Sequence, residues 1–216
     1  MIAPHSPSYT PGKLEPNEER AVSRYLKLFV LLIGFVGVQP ATAQTLDVDA
    51  QLKDVVIGDP KAPNTIIEYF SLTCGHCANF HANVLPKIKK NLIDTGKAKF
   101  IARDFPLNRL AVLAHMMTRC APRNRHQPYL DTLFHNFDRW TRSSDPVTAL
   151  KQIARLGGMG SDEFDACLRN EKLFQAIRKK QDEHAKKFAV DSTPTIIVNG
   201  EKVDGNYEAI AKAMKN

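Results

Sequence analysis

Glu68-Tyr69-Phe70-Ser71-Leu72-Thr73-Cys74-Gly75-His76-Cys77 carries the chain from a strand, through two cysteines, into a helix. Its first residues end the run Thr65-Ile66-Ile67-Glu68-Tyr69-Phe70, whose β-branched and aromatic side chains describe a buried strand holding one acid. Beyond Cys77, apolar residues at Phe80, Val84, Leu85, Ile88 and Leu92 recur at helical spacing over Ala78 to Ile93, with a kink expected at Pro86. A cysteine at such a helix start lies where free N–H groups and the helix dipole favour an anion. Cys74 is therefore the thiolate former, and thiolate is the species that attacks or leaves a disulfide. Cys77, one turn further in, is expected to be buried and to resolve mixed disulfides. His76 can supply positive charge or a donor to the Cys74 sulfur, and Gly75 lets the backbone turn tightly.

The same CxxC spacing also serves as half of a zinc site. Zinc would need two more ligands, whereas Cys120 and Cys167 are single and His81 is the one histidine nearby. The expectation is a redox pair with no metal and no cofactor. His115, His126, His135 and His184 fall in different helices without ligand spacing, and Trp140 and Phe134 are read as packing residues.

Working outward, Asp94-Thr95-Gly96 ends the first helix, and Ala98 to Asp104 forms the next strand, closed by Phe105-Pro106. The pattern then turns helical, with helices predicted near 109–120, 126–139, 146–156, 161–169 and 171–188. Asp145 before Pro146, Ser161 before Asp162-Glu163, and Asn170 before Glu171 are the start signals. Thr195 to Val198, the turn Asn199-Gly200 and Glu201 to Val203 read as a hairpin, and Asn206 caps a last helix running to Met214. On the other side, the turn cluster Gly58 to Pro63 stops a strand around Val55 to Ile57, and Gln44 to Leu52 reads as a polar lead-in. The fold class is α/β: a βαβ half and a ββα half (44–107 and 189–216) flank an inserted helical domain (108–188).

The first 43 residues read as a signal peptide, because Arg20, Arg24 and Lys27 precede the apolar run Leu28 to Val38, and Ala41-Thr42-Ala43 supplies a cleavage site before Gln44. That run is short for a membrane span and Pro40 follows at once, so an uncleaved anchor facing the periplasm is the alternative. Export implies an oxidising compartment in which disulfides persist. The 216 residues are 43% hydrophobic with 25% charged, an ordinary globular composition. The net charge of +7 is spread among acids, as in Lys179-Lys180-Gln181-Asp182-Glu183, and no Arg/aromatic interleaving suggests nucleic acid.

Residues 68–77 resemble the active-site segment of the DsbA branch of the thioredoxin superfamily, and Val190-Asp191-Ser192-Thr193-Pro194-Thr195 resembles its cis-proline loop. With the helical insertion between them the likeness covers 52–216 and is greatest to alphaproteobacterial DsbA-like proteins. The resemblance implies a thioredoxin fold and a cis Thr193-Pro194 peptide packed against Cys74, with the Thr193 backbone accepting a substrate chain as an added strand. It also implies that Glu68 is the buried acid beneath the cysteine pair. Burial raises a carboxyl's pKa and suits it to relay the proton of Cys77. The Gly75-His76 dipeptide and the threonine before Pro194 are commoner in the isomerase branch than in the best-known bacterial DsbA.

Cys120 and Cys167 both lie in the insertion. A bridge between them would add about 4 kcal/mol in the chain-entropy model; two buried unpaired thiols are the alternative. Some alphaproteobacterial relatives carry a similar non-catalytic bridge.

The expected function is that of a monomeric periplasmic dithiol oxidase acting on reduced or unfolded exported proteins. By resemblance, a DsbB-like quinone-linked membrane partner reoxidises it. A disulfide isomerase or reductase is the alternative within the same chemistry, and a redox-inert chaperone or binding module the alternative outside it.

Overall fold

A computed structural model describes residues 46–215, so the expected signal peptide lies outside the described residues. At the centre stands the strand β2 (Asn64–Phe70). It pairs in parallel with β3 (Ala98–Asp104) and antiparallel with β4 (Thr195–Val198). The short β1 (Val56–Ile57) and β5 (Glu201–Val203) close the edges, giving the five-stranded order β1-β3-β2-β4-β5. This is the mixed sheet of a thioredoxin fold.

The alternation of β2 separates two packed faces. Ile66, Glu68 and Phe70 point to one side, into a core that includes Cys77, Phe80, Ile88, Phe100 and the insertion residues Leu133, Trp140 and Phe164. Ile67 and Tyr69 point to the other, against Ile101, Phe105, Val190 and Ile197. Both faces are covered, which explains why the strand reads as a continuous apolar run.

The helix after the cysteines is divided more than the sequence suggests. It comprises α2 (Gly75–Asn83), α3 (Leu85–Ile88) and a π-helical turn (Lys89–Ile93) closed by Asp94 N–H donating to the Lys89 carbonyl at 2.8 Å. Pro86 has no N–H to continue the ladder, so the chain restarts at Leu85 instead of merely bending.

Between β3 and β4 lie α4 (Arg109–Cys120), α5 (His126–His135), α6 (Phe137–Thr141), α7 (Pro146–Leu156), α8 (Ser161–Leu168) and α9 (Glu171–Phe188). Asp145, Asn170 and, before α10 (Tyr207–Lys212), Asn206 each accept an N–H from the first turn, as expected. Three expectations change. Asn136 divides the predicted 126–139 helix, its amide donating to the Thr132 carbonyl at 2.9 Å. Gly160, not Ser161, caps α8, with its N–H donating to Glu163 Oε2 at 3.3 Å. The lead-in also contains a short helix, α1 (Val48–Gln51), whose Val48 is buried with Leu52 against Val112, Met116 and Ile177.

The hairpin turns through Asn199 at φ 53° and Gly200 at φ 96°, the left-handed pair that a two-residue turn requires. Among the described residues no helix is long and apolar enough to cross a membrane.

Candidate active site

Cys74 is the N-cap of α2, at φ −93° and ψ 117°, and its N–H donates to the Ser71 carbonyl at 3.1 Å. The turn leading to it is held by the buried Ser71 hydroxyl, which accepts the N–H groups of Thr73 and Leu107, each at 3.4 Å. Asn108, the cap of α4, donates to Thr73 Oγ1 at 3.0 Å. The loop after β3 and the start of the insertion thus jointly fix the residue before the first cysteine. Gly75 has no positive φ, and an added Cβ would meet only Phe137 at 4.0 Å, so the tight-turn role expected of it is not needed.

Both cysteines are free thiols, with Cys74 8% exposed and Cys77 fully buried. Their acidities are pushed apart. Cys74 is lowered to about 5, chiefly because the Cys77 thiol donates to its sulfur. The Thr193 side chain and the backbone N–H groups of Cys77 and His76 assist, and together they overcome desolvation, which acts in the opposite direction. Cys77 is pushed far up by its own donation to Cys74, then by burial and by the negative charge of Glu68. The pair thus offers one stabilised thiolate and one retained proton.

Thr193-Pro194 is a cis peptide, and Cys74 Sγ lies 3.2 Å from the Thr193 carbonyl oxygen. The loop is secured by Thr195 Oγ1 donating to the Ser192 carbonyl at 2.8 Å. Glu68 is fully buried in the central strand, facing the same core as Cys77. Its Oε2 meets His81 Nε2 at 2.8 Å and its Oε1 has no partner. Cys74, Cys77, Glu68, Thr193 and Pro194 therefore come together.

His76 is exposed, and what reaches the Cys74 sulfur from it is the backbone N–H. Cys120 and Cys167 are bridged between α4 and α8, 47 residues apart in sequence. Among the described residues no group of three or more His, Cys, Asp or Glu side chains is arranged to hold a metal.

Sequence reasoning missed Ser71, Asn108 and the role of Phe134, whose ring stacks on His81 at 4.0 Å. Ser71 and Asn108 left only the generic signal of small polar residues beside strand and helix ends. Phe134 and Phe137 line a groove of about 580 Å³ that runs along α2 past Gly75, Ala78 and Asn79.

The Thioredoxin_4 family, described as Thioredoxin, matches residues 50–216. Alpha-DsbA1 of Wolbachia pipientis is 34% identical with a TM-score of 0.62, over 78% of this chain and 87% of that one. Oxidised BdbD of Bacillus subtilis, 21% identical with a TM-score of 0.63 over 74% of this chain and 89% of that one, shares the fold. A Rickettsia conorii protein named "Putative protein-disulfide oxidoreductase" is 32% identical over 155 residues, covering 71% of this chain but 56% of its own length. The chain thus spans little more than half of that curated relative.

Proposed function

This chain belongs to the thioredoxin family, among its DsbA-like members, and from that premise we propose that it is a periplasmic protein thiol-disulfide oxidoreductase that donates the Cys74–Cys77 disulfide to exported proteins. The observation that carries this reading is the placing of the two free thiols, Cys74 at the N-cap of α2 and Cys77 fully buried behind it, which pulls Cys74 down to about 5 and holds Cys77 protonated. A stabilised Cys74 thiolate is a good leaving group and favours the reduced pair, which makes the disulfide form an oxidant.

The reaction runs by two exchanges. A substrate thiolate attacks Cys74 Sγ, the Cys74–Cys77 bond breaks, and Cys77 leaves with the bonding pair and takes up a proton. The substrate's second thiolate then attacks the substrate sulfur of the mixed disulfide, and Cys74 departs as thiolate. The substrate chain lies beside the Thr193 backbone in front of Pro194. A DsbB-type partner later accepts the two electrons from Cys74 and Cys77 and passes them to a quinone. The Cys120–Cys167 bridge is structural, and the protein acts as a monomer.

Redox equilibration with glutathione tests the direction of transfer. A potential above about −180 mV fits a donor of disulfides, whereas a value near about −270 mV, that of thioredoxin, fits a reductase and contradicts the reading. Disulfide shuffling of a scrambled protein at a rate matching dithiol oxidation would instead favour the isomerase reading, to which Gly75-His76 and Thr193 lend support. For export, N-terminal sequencing of the protein from a periplasmic extract should begin at Gln44.

A further inference from the structure

Exchange at a buried sulfur poses a proton problem. Cys77 is fully buried, yet it must gain a proton when it leaves the disulfide and lose it when the disulfide re-forms. Glu68, also fully buried, projects from β2 towards the core that contains Cys77, and its charge adds to the Cys74 bond and burial in holding the Cys77 proton. A carboxyl sealed in a central strand can pass one proton to Cys77, but it cannot be recharged without a route to water.

His81 stands between Glu68 and a cavity. Its side chain is only 4% exposed, and its Nε2 lies 2.8 Å from Glu68 Oε2. The ring also lines a cavity of about 300 Å³ between α2 and α5, with Ala78, Pro86, Lys89, Asp131 and His135. Phe134 stacks on it at 4.0 Å, and Phe80 and Phe70 pack around it with centroids at 6.0 and 6.2 Å, so the imidazole is held in one orientation. Glu68 Oε1 is buried without a partner, an arrangement costly for stability and suited to an oxygen that gives and takes a proton.

We infer that His81 is a positioning residue that acts on Cys77 through Glu68, passing protons between that carboxyl and the cavity between α2 and α5. The inference deepens the disulfide-exchange reading and rests on it. When the Cys74–Cys77 bond breaks, Cys77 leaves with the bonding pair, the protonated Glu68 gives its proton to Cys77 Sγ, and His81 Nε2–H restores it. The other ring nitrogen then takes a proton from water in the cavity. When the disulfide re-forms, the same transfers run backwards. The charged and titratable groups around His81 are Glu68 from β2, Cys77 on its own helix, Lys89 from the π-helical turn, and Asp131 and His135 from α5.

The test separates the two sulfurs in time. Reduced protein is mixed with excess glutathione disulfide and quenched in acid. Mass spectrometry then follows formation of the Cys74–glutathione mixed disulfide, which needs only Cys74, and its resolution by Cys77. In H81Q, whose amide keeps a hydrogen bond to Glu68 but does not titrate, formation should be unchanged. Resolution should slow about a hundredfold, the low end of what positioned proton transfer supplies, and its pH profile should lose an inflection. In the unmodified protein, resolution should slow in heavy water while formation, extrapolated to equal thiolate, does not. Resolution that is insensitive both to the substitution and to heavy water overturns the inference. A protein that forms no mixed disulfide at all overturns the exchange reading itself and is thereby distinguished.

Discussion

Two buried carboxylates, Glu68 on β2 and Asp104 on β3, sit on the same face of the sheet, each beside a histidine, and they are treated in opposite ways. Asp104 is saturated. Arg119 donates Nε to Oδ2 at 2.7 Å and Nη2 to Oδ1 at 3.1 Å, and His115 Nδ1 adds a third contact at 3.0 Å. Its carboxyl is held far below the usual range because the charges of Arg119 and His115 overcome the desolvation. Glu68 has one partner and one bare oxygen. The Phe70 ring lies between the two centres, 4.9 Å from His115 and 6.2 Å from His81. Completeness of pairing, more than burial or residue type, separates an acid that holds the fold from one placed to move a proton.

The sharpest way to break this contrast is to remove each acid. D104A leaves Arg119 buried without its counter-charge and should lower the unfolding free energy by about 3–5 kcal/mol in urea melts. E68Q keeps a hydrogen bond to His81 and should stay within about 1 kcal/mol of the parent. Equal costs would make Glu68 a second structural pair.

The next largest effect concerns the bridge, which ties α4, the helix carrying His115 and Arg119, to α8. The double variant C120A/C167A should lose about 2–4 kcal/mol of stability. Alkylation of Cys74 should be the same as in the parent.

A smaller effect is expected in acid. His126 is buried and lowered to about 4, chiefly by desolvation and then by the Arg119 charge. Its folded value lies below the ordinary value of about 6.5. Its contribution to stability is therefore complete above about pH 6.5 and is lost as the pH falls towards 4. Asp104, also depressed, contributes above the usual carboxylate range and is lost only in stronger acid. The thermal midpoint should fall between pH 6.5 and 4, and less steeply in H126Q.

Much of the architecture was legible because it is written in local signals. Asp145, Asn170 and Asn206 cap the helices they precede, and Asn199-Gly200 makes the turn it predicts. Of the site, Cys74 and Cys77 followed from helix-end physics. The proline at 194 needed a family resemblance, since nothing within Ser192-Thr193-Pro194 says which sulfur it will face.

What escaped is what crosses between distant segments. Arg119 meets Asp104 and also the Gln51 carbonyl at 3.2 Å, a closure set by three elements at once. The π-helical turn and the division at Asn136 reflect packing, which overrides helical period. His76, inside the motif, is exposed, whereas the histidine that reaches the buried acid is His81, on α2 beyond Cys77.

In the reduced pair Cys74 is the ionised sulfur and Cys77 the protonated one. Titrating the reduced protein by thiolate absorbance and by the rate of iodoacetamide modification tests it directly. One thiolate should appear with a midpoint near 5 and be lost in C74S, with no second thiolate up to strongly alkaline pH. A midpoint near the ordinary cysteine value of about 8.5, or a low-pH thiolate that survives in C74S, would contradict it.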